Sequence, residues 1–561
     1  MKNQSKLAIL ALAVCFASCK KTAITTEEEI SGSSKQSAKT AAVTATYYVD
    51  NVNGNDGNNG LSTTTAWKNI SKVNSVTFAP GNQILFKAGG SWTNRLAPAG
   101  SGTSGSPIVI GSYGSGAKPK INGAGVANGT ICLTNQEYWE IRDIEVTNYN
   151  ASEEGGISLA TWESNNLSNY ANATLPAQAV NNNTAKLGIL VTASDMGQVD
   201  HIYLQNVTIH GVNGTIDQDD EGSKENGGLA FRITGTGTQT WYNDILVENC
   251  TFTHIDRTGA FTSSTWDDRT FTSNTNWKPG LNIIFRNNTF SNIGANAMIV
   301  RVADHPLMEH NLFDHCAIKI SGNAAFNFNT DYAKWQYNEC RFTKANIDDR
   351  DAGGLDADYK TKNTIIQYNY LHDNDYGMLI TGGGNSFNDQ TQVKYNIIEN
   401  DGKYAHPSNG KFAVKVAGAT TNAQIYNNVI NSQAGWTNYN IVVHSQWTVW
   451  PSNTSYYNNI IRNAAASSAY VFGGSTGNVF DYNIFNMNTA TNQPSQVHNV
   501  TGLVKFVNPG AGDPNGYKLQ SGSVALLAGK VITGNGGKDY FGNPVSSTTA
   551  PNIGAYNGAG L

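Results

Sequence analysis

The sequence predicts a parallel β-solenoid, a rod of stacked β-coils. Three observations carry that prediction: a recurring phrase, strand-like alternation between its copies, and a composition poor in helix-forming residues. The phrase is Asn-x-apolar, seen as Asn288-Thr-Phe290, Asn311-Leu-Phe313, Asn338-Glu-Cys340 and Asn369-Tyr-Leu371. It continues as Asn396-Ile-Ile398, Asn428-Val-Ile430, Asn459-Ile-Ile461 and Asn483-Ile-Phe485, at intervals of 23 to 32 residues. A repeat of that length, built from short apolar runs, marks units that bury their cores only by stacking. The Asn residues are expected to form a ladder at the turns. Upstream, Trp139 to Val146, Ile202 to Ile209 and Ile245 to Phe252 alternate apolar and polar residues as half-buried strands do. With 57 Gly, 14 Pro and only 14% charged residues, the chain lacks the Leu/Glu/Lys-rich stretches of a helical enzyme.

Lys2 and Lys6 precede an apolar run from Leu7 to Phe16, and Ala17-Ser18-Cys19 follows. That order reads as a bacterial lipoprotein-type signal peptide over residues 1–19, ending at a lipidated Cys19. Plain secretion with cleavage nearby is the other reading. Ten apolar residues are too few to span a bilayer. The expected place is the bacterial outer membrane, on its periplasmic or outer side, with the lipid as the only membrane contact. Residues 20–45, rich in Ser, Thr, Lys and Glu, read as a flexible tether. The β-coils are expected over 46–558. Cys132, Cys250, Cys316 and Cys340 show no CxxC pairing, so zinc is not expected, and their spacing demands no disulfide. A net charge of -5 gives no basic footprint for nucleic acid. A monomer is expected.

The opening Tyr47-Tyr-Val-Asp-Asn-Val-Asn-Gly-Asn-Asp-Gly-Asn-Asn-Gly60, with Ala66-Trp67-Lys68 and Pro80-Gly81, resembles the start of secreted bacterial proteins of the pectin-lyase-like superfamily. The ending, with Phe506-Val-Asn-Pro509, Asp539-Tyr-Phe-Gly-Asn543 and Asn552-Ile-Gly-Ala-Tyr556, resembles theirs too. The resemblance implies a single-stranded right-handed parallel β-helix. It leaves the reaction open, because that superfamily holds lyases, hydrolases, epimerases and adhesins.

Aligning the strands that precede the Asn phrases gives a polar column. In that alignment Arg232, Arg301, Asn329, Asp358, Thr381, Lys415 and His444 all point outward. Such a column suits an extended hydroxylated polymer, and Arg or Lys can pair with a uronate or sulfate. Ordinary polar surface residues would give a column as well. The densest acidic run is Asp348-Asp-Arg-Asp-Ala-Gly-Gly-Leu-Asp-Ala-Asp358, followed by His372-Asp-Asn-Asp375. Asp356 and Asp358, at i and i+2 on a strand, should stand about 6.5–7 Å apart on one face. That is the short end of the spacing used by inverting glycosidases, and their repulsion should keep one carboxyl protonated. A Ca²⁺ site is a second reading of the pair, and a self-bonded turn is a second reading of His372 and Asp373. Asp349, His372, Asp373 and Asp375 are the reserve catalytic candidates. Trp266, Trp277, Trp436, Trp447 and Trp450 are candidates for stacking on sugar rings or for capping the core.

Together these features point to a glycoside hydrolase acting on a polysaccharide, an acidic one, without a cofactor. Asp356 and Asp358 would be the reacting pair, and Arg232, Arg301, Asn329, Lys415 and His444 would hold substrate. The alternatives are a polysaccharide lyase, with Ca²⁺ against a uronate, and a non-catalytic glycan-binding or adhesion protein.

Overall fold

A strand that buries every second side chain needs a neighbour to pair its backbone, and here each strand finds it one coil away. The structure, a computed structural model, describes residues 44–171, 183–216, 224–344, 351–403 and 410–561. Its strands run from Thr46–Val49 to Ile484–Met487. Among the described residues they form a 28-stranded and a 13-stranded parallel sheet, with one two-stranded antiparallel ribbon. A typical coil gives two strands to the first sheet and one to the second, as in Ala325–Asp331, Lys334–Gln336 and Glu339–Arg341. The architecture is a right-handed parallel β-helix.

Equivalent side chains pile on one another inside the rod. Phe252 stacks on Phe290 at 4.4 Å between ring centroids, and Phe290 on Phe313 at 5.3 Å. Each is fully buried, worth about 1.5–3 kcal/mol of hydrophobic transfer. Cys250, Cys316 and Cys340 are buried free thiols in the same core, and Cys132 is a half-buried one.

The repeated Asn forms the expected ladder. From Asn288 to Asn483 each Nδ2 donates to Oδ1 of the next Asn in the series at 2.9–3.0 Å. Asn369 is typical: its backbone N–H and its Nδ2 both go to Asn396 Oδ1, and Nδ2 also donates to Trp335 O at 3.0 Å. Asn483 ends the series on Gln496 Oε1. The corner just before the ladder needs a single left-handed residue, with φ of 57° at Asn287, 58° at Tyr368 and 54° at Asn427. Asn369→Ala strands several buried donors and acceptors at once. Its thermal midpoint should therefore fall, by the equivalent of at least about 1–3 kcal/mol. Unchanged melting with lost activity would move the ladder from stability to function.

The coils end at Met487, and residues 488–561 run without regular strands along the rod. Tyr517, Leu519, Ile553 and Tyr556 cover the outer face of the 13-stranded sheet over Tyr370, Ile397 and Val429. Asn427 Nδ2 fixes this segment by donating to Asn552 O at 2.9 Å.

Long insertions fall on the two sides of one strand row. The helix Leu159–Ala171 lies in the turn before Lys186–Ser194, and residues 213–216, 224–226, 342–344 and 351–352 lie in the equivalent turn of later coils. On the far side, residues 265–279 follow Thr258–Ser264, and 446–454 follow Tyr439–Ser445. The row between them becomes the floor of a groove.

Candidate active site

The floor is built from Met298–Asp304, Ala325–Asp331, Gly353–Ala357, Tyr376–Thr381 and Lys411–Ala417. Leu355 and Ala357 lie in the core, so Asp356 and Asp358 belong to the outward rows. In the first row Phe326, Asp356, Leu379, Lys415 and Val443 are in register. In the second, Arg301 pairs with Phe328, Asp358 follows beside Phe328 through its N–H to Asn327 O at 2.9 Å, and Thr381 pairs with Ala417. The resulting groove has a volume of about 810 Å³, and Asp351, Asp356, Asp358, Arg301, Lys415 and Trp447 are among its lining residues.

The predicted single column is corrected in three places. Lys415 stands with Asp356, two residues from Thr381's row. Asn329 has φ of 56°, which ends the alternation, and its buried side chain donates to Asp267 O at 2.6 Å. His444 faces inward, because Ile441 and Val442 both enter the core and shift the alternation by one. Its imidazole bonds Ser475 Oγ and Tyr456 OH, both at 2.7 Å, and burial pushes it down to about 4. Neither Asn329 nor His444 lines the groove.

The cations of the groove face already have carboxylates beside them. Glu225 pairs with Arg301 at 3.8 Å and with Arg232 at 3.0 Å, and Arg232, expected to hold substrate, does not itself line the groove. Lys415 lies close enough to Asp356 to act on its ionisation. Burial foremost, then the charges of Asp358 and Asp351, holds the Asp356 carboxyl well above the usual carboxylate range, and Lys415 with a hydrogen bond from Thr381 offsets this only in part. Asp356 is 4% exposed, a correction to its expected place on an open face, whereas Asp358 and Asp351 are half-buried.

The reserve candidates lie elsewhere. Asp349 is outside the described residues. His372 closes Tyr370–His372 of the 13-stranded sheet, between Asp373 at 2.9 Å and Glu339 at 3.2 Å. Burial disfavours its charge, but those two bonds prevail and push it up to about 9. Asp373 is a left-handed corner residue paired with Lys403 at 3.2 Å, and Asp375 is fully buried. None of these three lines the groove. Among the described residues no group of three or more His, Cys, Asp or Glu is set to hold a metal ion.

Of the five tryptophans, Trp447 lies on the groove, 51% exposed, with Tyr359 edge-on at 5.9 Å. Trp266 and Trp436 pack on the core, Trp277 lies under Arg269, and Trp450 lies against Gly473 and Gly474. Asp351 enters the groove from a turn, where no strand alternation could have pointed to it. Phe326, Phe328 and Glu225 were missed for a like reason, since apolar floor residues and a single Glu carry no sequence signal.

No family model matches the chain. A lacto-N-biosidase of Bifidobacterium longum subsp. longum is 25% identical to it over 652 aligned positions, covering 99% of this chain and 39% of that protein. The chain thus spans about two fifths of the length of that curated relative. Two crystal structures of a GH136 lacto-N-biosidase from Eubacterium ramulus, a selenomethionine derivative and the native protein, match with TM-scores of 0.55 and 0.54 at 20% identity. They cover 79% and 77% of this chain and 68% of their own. That likeness is one of fold, and with the parallel sheets it identifies a right-handed parallel β-helix.

Proposed function

We propose that this chain is a glycoside hydrolase acting on an uncharged glycan, with Asp358 and Asp351 as the reacting carboxyl pair. One observation carries the reading: both half-buried carboxyls line one groove of about 810 Å³, at either end of the Gly353–Ala357 strand. One carboxyl gives a proton to the leaving oxygen while the other, ionised, attacks the sugar or activates water. Trp447 offers a ring face for a sugar beside them. The likeness to lacto-N-biosidases supports glycosidase chemistry.

Charge supports an uncharged glycan over the acidic one expected from sequence. The groove residues include three cations, Lys224, Arg301 and Lys415, against four carboxyls, Glu225, Asp267, Asp351 and Asp358, besides Asp356, whose carboxyl is held protonated. A polyanion gains nothing from that balance, so the lyase reading loses its footing. The test is a glycan panel that includes substrates of lacto-N-biosidases, neutral polysaccharides and uronate polymers. New reducing ends from neutral glycans, without ultraviolet-absorbing unsaturated ends, are expected. Unsaturated ends from a uronate polymer would establish a lyase, and no product from any glycan would leave a binding protein.

The same proposal places the enzyme outside the cytoplasm, held by a lipid on Cys19, which lies outside the described residues. Cys19→Ser should release it into the soluble fraction. Unaltered membrane retention would put the anchor elsewhere.

A further inference from the structure

We propose that Asp356 is a proton-bearing positioning residue, its carboxyl anchored through Oδ2 by Asn323 and its Oδ1–H directed to the Asp358 side of the strand. Asn323 is fully buried and its orientation is fixed from both ends. Its Oδ1 accepts the Gly353 N–H at 2.9 Å, and its carbonyl accepts from Asn296 Nδ2 at 3.0 Å. The amide nitrogen is therefore the group that faces Asp356, and it donates to Oδ2 at 3.2 Å. In a carboxylic acid the carbonyl oxygen is the stronger acceptor, so the amide N–H on Oδ2 favours the proton on Oδ1.

Oδ1 is sealed from solvent and lacks a well-formed hydrogen bond, so the Thr381 hydroxyl and the Lys415 charge nearby offset its burial only in part. An ionised oxygen there would be desolvated with too little compensation, which favours the neutral acid. Phe326 and Leu379 flank Asp356 in the coils before and after, and Asp358 and Asp351 add negative charge nearby. Both effects keep the proton in place. The same seal keeps a leaving-group oxygen from reaching it, so Asp356 does not serve as the acid of the reaction. The acceptors that neighbour its row are Asp358, on the same outward face two residues along the strand, and Thr381, whose hydroxyl bonds this carboxyl. A donor held beside Asp358 fixes that carboxylate's orientation and favours its ionised form.

This inference rests on the glycosidase reading with Asp358 as a reacting group, and its test separates the two. Asp356→Asn supplies an N–H where the O–H was and an acceptor for Asn323, without a titratable proton. Turnover should fall no more than about tenfold. Asp356→Leu removes the donor, so kcat should fall about a hundredfold with KM little changed. The acid limb of its kcat/KM profile should move to higher pH, because Asp358 then holds its proton more tightly. Infrared difference spectra of wild type against Asp356→Asn at neutral pH should show a protonated carboxyl in wild type only. A loss of a hundredfold or more in Asp356→Asn, with melting intact, would overturn the inference and make Asp356 a reacting acid. An unmoved acid limb in Asp356→Leu, or no protonated band, would overturn it as well. Wild-type turnover in Asp358→Asn would instead remove Asp358 from the reacting pair, and with it the reading on which this inference rests.

Discussion

Asp358→Asn and Asp351→Asn should each lower turnover on the cleaved glycan by at least about a hundredfold, with KM and melting little changed. Asn keeps the size and hydrogen-bonding shape of the side chain and removes the proton chemistry. Both carboxyls are half-buried and Asn is of the same size, so neither substitution opens a cavity. The backbone N–H of Tyr359 donates to Asp358 Oδ1 at 2.8 Å, a bond that the Asn carbonyl oxygen can still accept. Any loss should therefore sit in kcat rather than in folding. Single-turnover rates and denaturation curves on the same preparations check this. Full turnover in either variant would remove that residue from the pair. If Asp351→Asn stays active while Asp356→Asn does not, the acid is Asp356, and the short spacing along the strand regains its meaning.

The rod was legible because each coil repeats the same physical problem. A ladder of buried amides has one solution, an Asn at each equivalent turn, and the eight phrases from Asn288 to Asn483 state it openly. The groove floor was legible only where alternation held. It held for Asp356, Asp358 and Lys415, and it failed at Asn329 through a left-handed residue and at His444 through two consecutive inward side chains. Neither event changes composition or hydropathy, so neither shows in a strand pattern. Depth was hidden as well. Asp356 and Asp358 look alike in sequence, and what separates them is cover from Phe326 and Leu379 together with the reach of Asn323 from the coil before. Those neighbours are fixed only once the coils are in register.

Arg269→Ala should cost about 3–5 kcal/mol of stability and raise KM more than tenfold, with kcat much less affected. Arg269 lies in the insertion that follows Thr258–Ser264, and its side chain is fully buried. Its guanidinium pairs with Asp331 at 3.0 Å, donates to Thr330 O at 3.0 Å and to Lys360 O, and lies 4.0 Å from the Trp277 ring centre. One side chain thus ties the insertion to two successive coils of the groove floor. The same insertion carries Asp267, which lines the groove, and Asn329 holds Asp267's carbonyl from beneath. Removing the guanidinium leaves Asp331 and two carbonyls without their donor and opens a gap under Trp277. The wall should then loosen while the carboxyls on Gly353–Asp358 stay in place, which is why KM should move more than kcat. Arg269→Lys tests the geometry: it keeps the charge for Asp331 but not the planar fork or the stacking, so it should recover only part of the stability. Urea denaturation and steady-state kinetics on both variants measure the two effects separately. Lost stability with an unaltered KM would show that Arg269 holds the fold alone, and that the 265–279 wall takes no part in seating the glycan.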